Sequence, residues 1–165
     1  MGDFAMARTP TSKTGAQSTE RQLAGFIDKY TPKVAATACA ALAKMRAMLP
    51  GAVELVYDNY NGLAIAFGPS ERTSEAIFSI TLYPRWVSLF FTQGASLDDP
   101  YKLLQGDGKT MRHIVLDAAS TLDNPAVKSL LKQALAGASK PIDRGNPSRI
   151  VIKSISAKQR PRRPQ

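Results

Sequence analysis

Val53-Glu54-Leu55-Val56-Tyr57-Asp58-Asn59-Tyr60-Asn61-Gly62-Leu63-Ala64-Ile65-Ala66-Phe67 is the stretch on which the fold turns. Val53, Leu55 and Tyr57 alternate with Glu54, Val56 and Asp58, the period of two that a strand requires. Asn61-Gly62 supplies residues that tolerate positive φ, so it predicts a hairpin turn, and Leu63, Ile65 and Phe67 resume the alternation. Gly68-Pro69-Ser70 interrupts it, and Ile77 to Leu82 restarts it with β-branched and aromatic residues. Tyr83-Pro84-Arg85 ends that third strand, and Trp86 to Phe91 makes a fourth. Together these segments predict an antiparallel meander.

Upstream, the period changes to that of a helix. Leu23, Phe26, Ile27 and Tyr30 form one stripe, and Thr31-Pro32 supplies an N-cap followed by proline at the first helical position. Val34, Ala38, Ala41, Leu42, Met45 and Leu49 then recur at intervals of three and four until Pro50-Gly51 stops the helix. Residues 1–18 are small and polar after Met6, and are expected to be a disordered leader. Downstream, Asp99-Pro100 predicts a short helix holding Tyr101, Leu103 and Leu104 and closed by Gly106. Arg112 to Leu116 reads as a short strand. Asn124-Pro125 opens a last helix with Val127, Leu130, Leu131, Ala134 and Leu135 inward, ending at Gly137. The expected class is therefore α+β, an antiparallel meander sheet with helices packed on it over residues 19–139. The basic segment 140–165 follows, in which residues 149–156 are compatible with one more strand before a disordered tail.

Size and composition fit this. A chain of 165 residues can bury roughly two thirds of its surface. With 44% apolar and 21% charged residues it is neither collagen-like nor wholly disordered. A single cysteine, Cys39, excludes an internal disulfide and points to a reducing compartment, so a cytoplasmic location is expected. In its Ala-rich helix Cys39 reads as a small buried residue. No stretch is long and apolar enough for a membrane helix, and no membrane partner is expected.

The charge of +9 is unevenly placed. Residues 140–165 hold eight Lys or Arg against Asp143 alone, so +7 of the +9 lies there, while residues 21–139 are almost balanced. Lys158, Arg160, Arg162 and Arg163 can neutralise phosphates with strong salt dependence, which makes nucleic acid a candidate partner through the tail; a solubilising tail explains them equally well.

No catalytic motif stands out, and the chain reads as non-enzymatic. Gly106-Asp107-Gly108-Lys109-Thr110 imitates the end of a P-loop, but the glycine required five residues before Gly108 is Leu103. What survives is a glycine loop that presents Lys109 and Arg112 to one anion. His113, the only histidine, has no second soft ligand at metal spacing. Tyr57, Tyr60, Tyr83 and Trp86 fall at strand ends and turns, where they either line a pocket mouth beside Arg85 or rim the core. The expected ligand site, for a small anionic or aromatic molecule, is Tyr60, Arg85, Trp86, Lys109 and Arg112.

One family pattern fits several of these elements at once. The capped helix ending in Pro50-Gly51, the hairpin with Tyr57, Tyr60 and Gly62, Tyr83-Pro84, Val87-Ser88-Leu89-Phe90-Phe91, Gly94, and Leu103 to Arg112 with Gly106, Gly108 and Lys109 resemble the YdhG-like domain family, a domain of unknown function. Ile152-Lys153-Ser154-Ile155-Ser156 is similar to the basic ending of related chains. The resemblance implies an α+β domain, frataxin-like in outline. Because some members are described as frataxin-like iron chaperones, it also implies iron as a candidate cofactor. Frataxin-type iron binding relies on acidic residues along the first helix and strand, and this chain departs from that with Glu20, Asp28, Glu54 and Asp58 set among Arg21, Lys29, Lys33, Lys44 and Arg46. The resemblance supplies no catalytic residue.

Overall fold

The computed structural model describes residue 15 and residues 18–165. Most of the expected leader, residues 1–18, therefore lies outside the described residues; Gly15 and Ser18, which do not, are helical. Helix α1 runs over residues 18–28 and buries Leu23, Ile27 and Tyr30. The chain breaks at Tyr30, and Thr31 caps α2 (Pro32–Met48) by accepting a hydrogen bond from the Val34 amide through its hydroxyl, with Pro32 in the first turn. The buried stripe of α2 is Val34, Ala38, Ala41, Leu42 and Met45. Cys39 sits one position off that stripe and is exposed, which corrects its expected burial.

Gly51, at φ +86°, turns the chain into the sheet. Strands β1 (Val53–Asp58), β2 (Leu63–Gly68), β3 (Phe78–Leu82), β4 (Val87–Phe91) and β5 (Arg112–Leu116) form the expected meander. Its pairings are antiparallel throughout, with Val56, Ile65, Ile80, Leu89 and Ile114 in one cross-strand row. Helix α3 (Pro125–Ala136), capped by the Asn124 side chain, carries the chain back across the sheet. Strand β6 (Arg149–Ile155) then lies beside β1 and parallel to it, giving the order β5-β4-β3-β2-β1-β6. The sixth strand makes the sheet mixed. A parallel neighbour needs a long crossover, and α3 with its following loop provides one.

The helices cover the sheet face that carries the Val56 row, and this is the main core. On the other face Val53, Leu55 and Ala66 form a smaller cluster with Tyr57, Ala76 and Val151. The β2–β3 connection lies against this patch: Tyr57 is hydrogen-bonded to Thr73, and Arg149 Nη1 donates to Glu71 at 2.7 Å. Among the described residues no helix is long and apolar enough to cross a membrane.

Two further expectations are corrected. Residues 99–106 are not helical. The Asp99 carboxylate accepts from the Leu103 and Leu104 amides at 2.9 Å, but Lys102 lies at φ 53° and Gln105 pairs in extended form with His113. The cap chemistry is satisfied by a turn, because Leu103 and Leu104 pack onto the core and Gln105 extends the sheet edge. Nor does the basic segment leave the domain after β6: Arg162 is buried and bonded to β1.

Candidate binding site at the turn end of the sheet

The pairing of Leu63 with Leu82 sets the β1–β2 turn beside the β3–β4 turn. Asn59 N donates to the Gly62 carbonyl at 3.0 Å, closing the first turn. A Cβ at Gly62 would lie 2.5 Å from the Leu82 carbonyl oxygen and 3.4 Å from the Tyr83 ring, so glycine is what lets the two turns approach. Tyr83 N donates to the Trp86 carbonyl at 2.9 Å, and the two rings stack with centroids 4.8 Å apart at 29°. Burial pushes the Tyr83 hydroxyl above its ordinary pKa.

These turns leave two large aromatic side chains in water, Tyr60 at 45% and Trp86 at 44% exposure. Charged groups, cations in excess, lie around them. A small cleft of about 80 Å³ is lined by Lys33 and Thr37 from the start of α2, by Arg85 and Trp86, and by Asp117 after β5. Arg160 N donates to the Tyr60 carbonyl at 3.0 Å, and its guanidinium lies 5.9 Å from the centre of the Tyr60 ring.

The expected ligand set is thus divided. Tyr60, Arg85 and Trp86 share the turn end. Arg112 pairs with Phe91 at the far end of β4, whereas Val87, next to Trp86, pairs with Leu116; four strand residues put roughly 13 Å between those ends. Arg112 moreover donates through Nη1 to the carbonyls of Gly108 and Met111, so its head group is bound by its own loop. Lys109 is exposed on that loop, away from the aromatic turns. The glycine loop and the aromatic turns are separate places.

The expected polyanion set is also divided. Lys158, Arg160 and Arg163 are exposed. Arg162 is 6% exposed and donates to Asp58 Oδ1 at 2.9 Å, so it is spent inside the protein. Asp58 and Tyr30 were missed as parts of this end. No local signal marks them: the helices cover the face of Glu54, Val56 and Asp58 rather than that of Val53, Leu55 and Tyr57, and packing, not the alternation, decides this; once covered, the acid requires a partner.

A larger cleft, about 360 Å³, lies between the end of α3 and the start of β3. Three of its polar side chains are already engaged: Gln133 with the Asp98 backbone, Thr92 with the Ala76 and Ile77 carbonyls, and Glu75 with Ser70 and Lys140. Its lining holds neither an aromatic ring nor an Arg or Lys. Among the described residues no three His, Cys, Asp or Glu side chains gather as a metal-binding group. The chain matches no protein-family model, no curated protein and no solved structure.

Proposed function

We propose that the protein is a non-enzymatic binding domain that holds an aromatic anion, a planar base bearing phosphate, at the turn end of its sheet. The observation that carries this is the exposure of Tyr60 and Trp86 on adjacent turns among Lys33, Arg85 and Arg160. Stacking a base on an aromatic ring contributes about 1–3 kcal/mol and tolerates any base. Trp86 is already held against Tyr83, so little of its freedom remains to be lost on binding. Arg and Lys beside the rings supply the anion donors, Arg in a fork that suits phosphate.

The two expectations of a small-ligand site and a basic tail that binds polyanions merge here, because Arg160 of the tail lies on Tyr60 of the site. Membership of a YdhG-like family belongs to the same proposal and is carried by the sequence pattern alone. The iron alternative finds no grouped donor set among the described residues.

Trp86 is the only tryptophan, so its fluorescence reports directly on the site. Titration with a mononucleotide and with a short single-stranded oligonucleotide should quench it saturably. Arg85→Ala should weaken that binding about tenfold, the value of one charge-assisted contact. The pair Lys109→Ala, Arg112→Ala should leave it unchanged. Absence of quenching by every probe rejects the proposal.

A further inference from the structure

The segment after β6 folds back along the end of β1. Ser156 N donates to the Asp58 carbonyl at 2.8 Å, and Gln159 Nε2 donates to the same oxygen at 3.2 Å. Arg162 then enters between the β1–β2 turn and Tyr30, at the break between α1 and α2. Its Nη2 donates to Asp58 Oδ1 at 2.9 Å and to the Asn59 carbonyl, and its Nη1 donates to the Tyr60 carbonyl at 3.2 Å. The guanidinium lies 5.7 Å from the Tyr30 ring centre. Beyond it, Arg163 Nε reaches the Lys29 carbonyl at 3.2 Å. The side chains of Asp58 and Arg162 are 1% and 4% exposed.

Burying two opposite charges is poor evidence of stability, since desolvation offsets most of their attraction; the best-attested use of such a pair is to fix a register. The register fixed here has a definite product. Two residues before Arg162, with only Pro161 between, Arg160 is held on Tyr60. Proline fixes its own φ and restricts the residue before it, so anchoring Arg162 leaves the Arg160 backbone little freedom.

We propose that Arg162 and Asp58 form a latch that makes residues 158–163 a built-in part of the ligand site, with Arg160 as the phosphate-binding group that the latch positions over Tyr60. This rests on the ligand reading above and adds a role to it: Arg162 is a positioning residue, too buried to touch a ligand. The ligand is a nucleotide unit whose base stacks at the aromatic turns while its phosphate meets Arg160. A free nucleotide and a single strand share that chemistry.

The test combines limited proteolysis with binding. Arg160 and Arg163 precede proline, which trypsin does not cleave, so the scissile bonds of the segment are Lys158–Gln159 and Arg162–Arg163. With Arg162 buried and Gln159 bonded to the Asp58 carbonyl, both bonds should resist, and the full-length protein should keep its last three residues, Arg163-Pro164-Gln165, as read by intact mass. The paired variant Asp58→Asn, Arg162→Gln removes both charges, so neither is left orphaned, and it should be cut quickly after Lys158. Binding is then read by Trp86 fluorescence with thymidine monophosphate and with a ten-residue oligothymidylate. Arg160→Ala and the paired variant should each weaken the oligonucleotide about tenfold, with the salt slope falling by about 1. Combining them should add nothing. A single strand is the ligand if the monophosphate binds far more weakly than the oligomer, and a free nucleotide if the two bind alike.

Rapid loss of Arg163-Pro164-Gln165 from the parent overturns the latch. Parent-like affinity in a paired variant whose tail is being cleaved overturns the link to the site. If no probe binds the parent while its tail resists trypsin, the ligand reading fails, and Arg160 loses its role with it. Arg162→Lys separates charge from shape: it keeps the charge without the fork, and should restore only part of the affinity.

Discussion

Strand β1 buries an acid at each end, and the two are held in opposite ways. Glu54 and Asp58 stand on the same helix-covered face, four residues apart, and each meets an arginine. Glu54 is bonded through both oxygens, at 2.7 and 2.8 Å, by Arg46, which precedes it by only eight residues. Arg46 keeps 33% of its side chain in water and also holds Glu20, and its hydrogen bond to Glu54 raises its pKa further above the ordinary arginine value. Asp58 is bonded by Arg162, 104 residues later, through one oxygen, with both side chains almost sealed from water. Its second oxygen has only the Lys29 ammonium, at 3.5 Å. The first pair closes a short loop and can form with α2 and β1 alone. The second forms only after the whole chain has returned, so it reports that the fold is finished.

Arg162→Ala should therefore be the costliest single change. It leaves a carboxylate sealed in the interior with a partly exposed lysine for company, and breaking one side of a buried pair costs about 3–5 kcal/mol. Lys29 holds the expectation to the lower end, about 3 kcal/mol, read as a shift in the urea midpoint at constant slope. A chain ending at Ala157 suffers the same loss, so such a truncation cannot separate tail charge from fold. A cost below about 0.5 kcal/mol, the range of ordinary surface changes, would mean that Asp58 regains water and that the contrast with Glu54 is empty.

Much of the fold could be read from local chemistry. The Thr31-Pro32 and Asn124-Pro125 caps, the Pro50-Gly51 stop and the Asn61-Gly62 hairpin all act within a few residues, and each stands where expected. What escaped was decided at long range. The parallel placement of β6 follows from where α3 returns the chain, which no periodicity encodes. Asp99-Pro100 carries a correct cap signal, yet packing of Leu103 and Leu104 overrides the helix. The same holds for the site. Tyr60, Arg85 and Trp86 fall together because turns at one end of a meander are neighbours, and alternation along the sequence implies this. Residue type alone groups Lys109 and Arg112 with them, and the length of β4 sets them apart. Arg162 reads as one more base in a basic run, and only its partner in β1 distinguishes it from Arg160 and Arg163.

Arg46→Ala sharpens the comparison from the other end of the strand. It removes two short charge-assisted bonds to Glu54, but its own exposure shows that water reaches this position. The loss should be about 2 kcal/mol, less than for Arg162→Ala, because solvent can replace part of what is removed. Arg46→Lys should recover some of it through charge while losing the fork. If Arg46→Ala costs more than Arg162→Ala under the same denaturant, burial is not what separates the two pairs, and the bidentate geometry at Glu54 outweighs it.

Tyr30 offers the finest probe, because it lies against one pair and far from the other. Its hydroxyl donates to the Leu82 carbonyl at 3.2 Å, and burial, the leading cause, pushes its pKa from 10.0 up to about 12, with Arg162 pulling it down and Asp58 adding to the rise. A raised folded-state pKa gives stability that is complete below the unfolded value and is lost as pH climbs towards the folded one. Between about pH 10 and pH 12 the unfolded chain releases this proton while the folded chain retains it, at a cost of about 1.4 kcal/mol per pH unit. Tyr30→Phe removes the hydrogen bond, a constant offset of about 1 kcal/mol, and with it this slope. The readout is the difference in urea midpoint between parent and Tyr30→Phe at about pH 9 and about pH 12, which cancels the titration of lysines common to both and reaches the folded-state pKa, where the backgrounds separate. Repeated in the Arg162→Ala background, the alkaline loss should grow, because the cation that favours tyrosinate has gone. Repeated in the Arg46→Ala background it should not change. Equal slopes in all three backgrounds would place Arg162 away from Tyr30 in solution and undo the buried end of the comparison.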